Sequence, residues 1–236
     1  EQNGGYGMGN QEGINYAVSC LEADYVIIAN PDIHVTPRCI RRVKDALDKT
    51  QGAVAASARV KDPMGGELFS YWTLLPLWKD LLDTGLVTRR LFKAMLNTPS
   101  YRLAYAGDED CRLVDAVPGS FFMLKTGILT PGEIKEVFDK HIFLYYEEKV
   151  LGQKFRKMGL KTVLVTDESY VHAHSVSIDK SFKRIVDKQR LLHQSKLYYY
   201  REYLHAGPAL MAAAGAVLDI ILAEVWFLTV VCRMRW

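Results

Sequence analysis

The chain has 236 residues, of which 49% are hydrophobic and 24% charged, and its formal net charge is +3. That is enough chain to bury a sizeable core, as one large domain or as a domain with an appendage, and no low-complexity tract argues for disorder. The mildly basic balance lacks the clustered basic face of a nucleic-acid binder, so no nucleic-acid partner is expected.

Basic residues do concentrate at Arg38, Arg41, Arg42 and Lys44, and again from Lys180 to Arg201. Solvated helix faces account for both. Cys20, Cys39, Cys111 and Cys232 form no CxxC pair and no close Cys/His spacing. This argues against a zinc site or a disulfide framework and fits reduced thiols in a cytosolic compartment.

The chain opens on Asn3-Gly4-Gly5-Tyr6-Gly7-Met8-Gly9-Asn10, with nothing before it to form a strand. An α/β domain rarely starts this way, so an N-terminal truncation is expected. Such a loop lets backbone approach a phosphate or sugar, but no Gly-Lys-Ser/Thr follows to make it a Walker loop. Residues 10–21 read as a short helix, with Ile14, Ala17, Val18 and Leu21 on one face. Tyr25-Val26-Ile27-Ile28-Ala29 is a compact apolar run that reads as a buried parallel strand, stopped by Pro31. Residues 36–49 form an amphipathic helix, with Thr36 as N-cap and Pro37 at its first position. Residues 53–60 are the next strand, which completes a parallel strand–helix–strand unit.

Met64-Gly65-Gly66-Glu67 is a turn, and residues 74–96 read as one or two helices of an insertion. Residues 114–124 read as a strand broken at Pro118-Gly119. A helix over 145–158 ends at Gly159, a strand covers 161–166, and a long helix covers 180–205 until Gly207-Pro208 breaks it. The apolar stretch 209–231 is long enough to cross a bilayer, although Asp219 and Glu224 would be costly inside one. Arg233, Arg235 and Trp236 sit where an interfacial anchor would. A helix on the membrane surface, a span, and a buried helix closing the domain are all consistent with this pattern.

Three carboxylates carry the chemistry. Asp32 follows an apolar strand, so it falls at the carboxyl end of the sheet, where ligands bind in open α/β folds. A carboxylate there can hold Mg2+ or Mn2+ together with substrate phosphates. On its own, Asn30-Pro31-Asp32 reads as a turn. Glu147 and Glu148 begin a helix about 100° apart, so one can face a pocket while the other caps or orients. Acidic residues also suit a helix start for dipole reasons. The approach Ile142-Phe143-Leu144-Tyr145-Tyr146 is apolar, and a carboxylate beside it gains the raised pKa of a general base. His172 and His174 alternate on a strand and share a face, as metal ligands or phosphate contacts would; packed or exposed histidines are the plainer account.

These pieces occur in one order: Asn-x-Gly-Tyr-Gly-x-Gly-Asn, Asn-Pro-Asp, Pro-Gly-Ser-Phe-Phe-Met, Phe-Asp-x-x-x-Phe-Leu-Tyr-Tyr-Glu-Glu, and His-x-His-Ser-x-Ser. Over about residues 3–178 the chain resembles the family-2 inverting glycosyltransferases of the GT-A fold, especially rhamnosyltransferase-like enzymes of bacterial surface polysaccharide assembly. The resemblance implies an α/β fold with a mostly parallel sheet flanked by helices and a C-terminal helical extension. It implies a catalytic domain at 1–178 and a helical, membrane-associated region at 179–236. It also implies a dTDP- or UDP-sugar donor, a glycan or lipid-linked acceptor, Mg2+ or Mn2+, and a cytoplasmic location at the inner face of the plasma membrane.

On this resemblance, Asp32 takes the last position of the Asp-x-Asp motif and would bind metal-diphosphate, with Asn30 in place of the first Asp. Glu148 takes the place of the acceptor's general base, and Glu147 is the alternative. His172 or His174 matches the histidine near the metal. Asn3, Gly5, Tyr6, Asn10, Asn30, Gly119 and Tyr146 are expected at the substrates. The family's later acidic residue is Val150 here. Family members begin with a strand–helix–strand unit that recognises the donor's base, so this chain is expected to bind nucleotide sugar poorly. Two other readings compete: a degenerate transferase domain that binds a membrane or partner without catalysis, and a nucleotidyltransferase, which would need a phosphate-cradling loop that is not visible.

Overall fold

The computed structural model describes residues 4–92, 95–96, 110–173 and 185–233, which form two compact units. The first holds the described residues of 4–74, 110–143 and 147–173; the second holds those of 75–96, 144–146 and 185–233. The insertion and the segment Leu144–Tyr146 thus join the C-terminal helices, whereas the sequence reading placed both in the 1–178 domain.

The first unit contains α1 (Gly5–Leu21), β1 (Tyr25–Ala29), β2 (Ile33–His34), α2 (Pro37–Lys49), β3 (Ala53–Lys61), β4 (Cys111–Val114) and β5 (Phe121–Lys125). A short helix (Pro131–Ile134), the longer helix α3 (Glu147–Lys157) and β6 (Lys161–His172) follow. Helix α2 starts as its sequence demands. The Thr36 hydroxyl accepts from the Cys39 N–H at 3.1 Å, and Pro37 occupies the first position. Cys39, Val43, Ala46 and Leu47 follow the helical period and are all buried. They pack on Ala56, Ala58 and Val60 of β3 and on Val163 and Val165 of β6. Full burial of each Val or Leu side chain here contributes about 1.5–3 kcal/mol.

The described strands form one sheet in the order β1-β5-β3-β6-β2, with β4 also pairing with β6. The sheet is mixed rather than mostly parallel. β3 and β6 run parallel, whereas the pairs β1–β5, β3–β5, β2–β6 and β4–β6 are antiparallel. The strand–helix–strand unit keeps its direction, but β5 wedges between β1 and β3 with opposite sense. β1 is therefore the last described strand at its edge, not a buried parallel one, and Ile27 is 39% exposed while Ile28 is buried. Of the strand expected over 114–124 with a break at Pro118-Gly119, Val114 is the end of β4 and the part after the break is β5, and the two have different neighbours. β5 has helices on both faces: Phe121 and Met123 meet the α2 side, while Phe122 and Leu124 meet Ile14 of α1 and Leu151 and Phe155 of α3. That is why its sequence is apolar without alternation.

β6 continues beyond the expected 161–166. Its pairing with β3 shifts register between Ala58–Val165 and Arg59–Ser169. Residues 166–168 are extra on β6 at this point, and two of them tie down α2: Arg42 meets Asp167 at 2.8 Å and Arg38 meets Glu168 at 2.6 Å.

The glycine-rich start is also different from expectation. From Gly5 onward it is helix α1, not an open loop. Gly5 has φ +83°, and a Cβ there would stand 2.3 Å from the Phe143 carbonyl oxygen. The Tyr6 N–H donates to the same oxygen at 3.2 Å. This glycine therefore serves a close contact between the start of α1 and Phe143.

The second unit is helical: α4 (Leu77–Leu82), α5 (Leu86–Leu91), α6 (Ile185–Glu202) and α7 (Pro208–Trp226), continued by a π-helical turn at Phe227–Val231. Its centre is polar. One oxygen of Asp80 accepts from Tyr146 Oη at 2.5 Å, Tyr200 Oη at 2.6 Å and Lys196 Nζ at 2.7 Å. Asp80 and Lys196 are both buried, so each charge depends on the other.

Helix α7 and its π-helical turn span 24 residues, and their most apolar window is only 22% buried. The buried-helix reading of 209–231 therefore does not hold. Ala214, Leu218, Ile221 and Val225 pack inward, while Leu210, Val217, Ile220 and Trp226 are exposed. Glu224, one of its two carboxylates, accepts from the Val87 N–H at 2.8 Å and so caps α5.

Candidate active site

Topology gathers the candidate residues at one edge of the first unit's sheet. β1 ends at Ala29, opposite Phe121 at the start of β5. β3 and β6 end together, with Lys61 beside Val171, and His172 pairs with Ile33 of β2. The turn Pro118-Gly119-Ser120 lies at this edge, and its Ser120 carbonyl accepts from the Asn30 N–H at 2.9 Å. Helix α3 starts here with Glu147 and Glu148.

The structure brings Tyr6, Gly119 and Glu148 together. The Gly119 N–H donates to Glu148 Oε1 at 3.3 Å, and Tyr6 Oη donates to the Gly119 carbonyl at 2.5 Å. A Cβ on Gly119 would stand 2.8 Å from Tyr6 Oη and 3.2 Å from Glu148 Oε1, so an alanine there would displace one or both side-chain ends. Burial, and then Glu148 and Glu147, push the Tyr6 phenol well above its ordinary value, so it remains a neutral donor.

The two glutamates differ in environment. Glu147 is 6% exposed, and its Oε1 has no hydrogen-bond partner among the described residues. Burial, and then the charge of Glu148, push its carboxyl up to about 8. Glu148 keeps part of its surface open. Burial raises it too, but its own backbone N–H and that of Gly119 pull it back toward the ionised form. The pair holds one proton more readily than none, and Glu147, with no donor on Oε1, is the better place for it. Glu148, with two backbone donors and part of its surface open, is the better place for the pair's negative charge.

Asp32 and His172 form a second cluster, with Nε2 and Oδ1 3.3 Å apart and both side chains partly buried. The Ala173 N–H donates to the Asp32 carbonyl at 3.0 Å and fixes the turn on β6. No group of three or more His, Cys, Asp or Glu residues arranged to hold a metal occurs among the described residues. Two donors still fit a cation that takes most of its ligands from substrate phosphates.

Other expected residues fall elsewhere. Asn10 Nδ2 donates to the Tyr6 carbonyl at 3.0 Å, within α1. Tyr146, expected at a substrate, is buried in the second unit with its hydroxyl committed to Asp80. Asn3 and His174 lie outside the described residues.

Residues not singled out by sequence support the turn. Ser120 Oγ and Tyr170 Oη share a 2.7 Å hydrogen bond, and Ser57 Oγ donates to the Phe121 carbonyl at 2.6 Å. Ser120 lies inside a noted motif, so the signal was present without its partners. A cleft of about 400 Å3 opens at the opposite end of β6, around Tyr71, Asp115, Arg156 and Lys161. An Arg156–Asp115 ion pair at 2.9 Å lies along it, and none of the candidate carboxylates reaches it.

No family model matches the chain. Over 188 residues it is 26% identical to the N-acetylglucosaminyl-diphospho-decaprenol L-rhamnosyltransferase of Mycobacterium tuberculosis, from both the CDC 1551 / Oshkosh and the ATCC 25618 / H37Rv strains. The match covers 78% of this chain and 57% of each relative. The chain thus spans a little over half the length of the curated relatives it matches. The similarity is to a glycosyltransferase, and the fold is mixed α/β.

Proposed function

We propose that the chain is the catalytic part of a family-2, GT-A-type glycosyltransferase that moves a sugar from a nucleotide-diphosphate donor to a hydroxyl of a lipid-linked glycan, with inversion. The observation that carries this reading is the divided carboxylate pair at the sheet edge, with Glu148 held by the Gly119 N–H and Glu147 buried beside it. The likeness to a transferase named for a diphospho-decaprenol acceptor supports the substrate class.

Glu148 takes the proton of the acceptor hydroxyl, and the oxygen attacks the anomeric carbon from the face opposite the leaving group. The bond from that carbon to the diphosphate oxygen breaks, and its electron pair leaves with the nucleoside diphosphate. Each turnover therefore leaves Glu148 protonated, to be reset by solvent through its open side. Asp32, with His172 beside it, would hold Mg2+ or Mn2+, which supplies charge neutralisation for a diphosphate. Asn30 and Gly119 shape the wall between the two clusters. The low-dielectric seat strengthens Glu148 as a base near neutral pH, as burial does for other catalytic carboxylates.

We also place the protein at the cytoplasmic face of the membrane, with α7 lying in the lipid surface. Its outward face is apolar apart from the exposed Asp219, and its Glu224 is already used inside the helical unit, so Asp219 is the carboxylate that must stay at the headgroup level.

The test is transfer from dTDP-L-rhamnose to N-acetylglucosaminyl-diphospho-decaprenol by the full chain and by Glu148→Gln. Turnover should fall by about 10²–10⁴-fold in the variant while donor affinity is kept. Equal turnover removes Glu148 as the base. No metal-dependent transfer or donor hydrolysis with any dTDP- or UDP-sugar favours the non-catalytic module.

A further inference from the structure

Gly119 is joined to its surroundings through both of its peptide groups. The peptide before it donates to Glu148 Oε1, and the peptide after it accepts from Tyr6 Oη. Glycine has the widest choice of backbone angles, so these two peptides would turn freely about its Cα unless something held them. The next residue is already held: the Ser120 carbonyl accepts from the Asn30 N–H at 2.9 Å, and the Ser120 hydroxyl meets Tyr170 at 2.7 Å. Tyr6 is the remaining restraint on Gly119 itself. It is in turn fixed at the first turn of α1, by its N–H on the Phe143 carbonyl and by an edge-on contact with the Phe138 ring at 5.7 Å.

The Tyr6 hydroxyl proton is committed to the Gly119 carbonyl, so Tyr6 has none to offer Glu148. Among the described residues, the Gly119 N–H is the donor that reaches the Glu148 carboxyl from across the turn. We propose that Tyr6 is a positioning residue for Glu148, acting through the Gly119 backbone: it sets the angle at which the Gly119 N–H meets the carboxylate and thereby orients the base. Gly119 is the coupling element, and its missing side chain is the clearance that lets the phenol and the carboxylate approach it from two sides. This assigns the Tyr6 of the glycine-rich stretch to orienting the base, where the resemblance had suggested contact with a substrate.

The inference rests on the reading of Glu148 as the base, but its test separates the two. In the wild-type full chain, the Gly119 amide proton followed by NMR should move with the Glu148 carboxyl titration. An amide that ignores that titration overturns the proposal without any variant. In Tyr6→Phe, which removes one oxygen and keeps the ring packing, the Glu148 midpoint should rise by about 0.5–1 pH unit as the donor drifts away. If the chain transfers rhamnose, kcat should fall about tenfold or more with KM for both substrates within about twofold, and the acid limb of the rate profile should move up with the carboxyl midpoint. Gly119→Ala should change the same two readouts in the same direction. An unchanged Glu148 midpoint in a folded Tyr6→Phe protein refutes the positioning role. Should Glu148→Gln retain activity, the base assignment falls, and the titration still reports whether Tyr6 holds the carboxylate.

Discussion

Replacing Glu147 by Gln isolates the cost of keeping a second carboxyl beside the first. Burial and Glu148 carry the Glu147 carboxyl from 4.5 to about 8, a displacement equivalent to at most about 5 kcal/mol between its two protonation states. Local relaxation and entering water reduce this, and we expect about 2–3 kcal/mol. The folded value lies above the unfolded one, so the wild-type chain keeps this stability below about pH 4.5 and loses it as the pH climbs through about 8. Gln has nearly the same volume and no charge to lose. The stability of Glu147→Gln relative to wild type should therefore grow steadily over that interval and then level off. Urea unfolding at pH 5.5, 7 and 9 with matched m-values measures it. A difference that stays flat with pH, or shrinks as the pH rises, refutes the argument. If Glu148 is the base, as proposed, the same variant should also retain most of its turnover.

Asp80→Ala leaves the Lys196 ammonium buried without its carboxylate, so the chain should lose about 3–5 kcal/mol in thermal unfolding. Asp80→Ala with Lys196→Met should recover much of that loss, and equal losses in both would show that the charge is not what costs. The full chain should float with anionic phospholipid vesicles, and Val217→Asp with Ile220→Asp should abolish flotation. Failure of the wild-type chain to bind such vesicles removes the membrane placement.

The helices with strong local signals were legible in the sequence. The Thr36-Pro37 start of α2 and the glycine stop of α3 depend on neighbouring residues only. The positions of the candidate residues were legible as well, because Asp32, Gly119, Glu147 and Glu148 stand at element ends. Strand pairing was not legible. An apolar run such as Tyr25–Ala29 looks alike at the edge and at the centre of a sheet, and nothing local tells it that β5, far along the chain, will pair with it in the opposite sense. The glycine-rich start misled for a related reason: its glycines suggested an open loop, but Gly5 serves a contact with Phe143, distant in sequence. Tyr146 was legible as part of an apolar approach, yet its partners Asp80 and Lys196 lie in segments with no shared pattern. Asp80 within Leu77–Leu82 was the available signal, since a carboxylate amid apolar residues calls for a buried cation.

The three extra residues of β6 separate that strand into two halves with independent duties. The half before them pairs with β4 and belongs to the scaffold, while the half after them pairs with β2 and delivers His172 to Asp32. Strand side chains alternate, so the parity of the bulge decides which face everything downstream presents. Deleting one of residues 166–168 would leave the first half unaltered and invert the second, turning Tyr170 out of the core and His172 away from the carboxylate. Adding or removing two would preserve the faces and move the site along the strand axis by about 7 Å. The bulge is thus a phase setting: even changes in its length preserve the faces of the second half, whereas odd changes invert them.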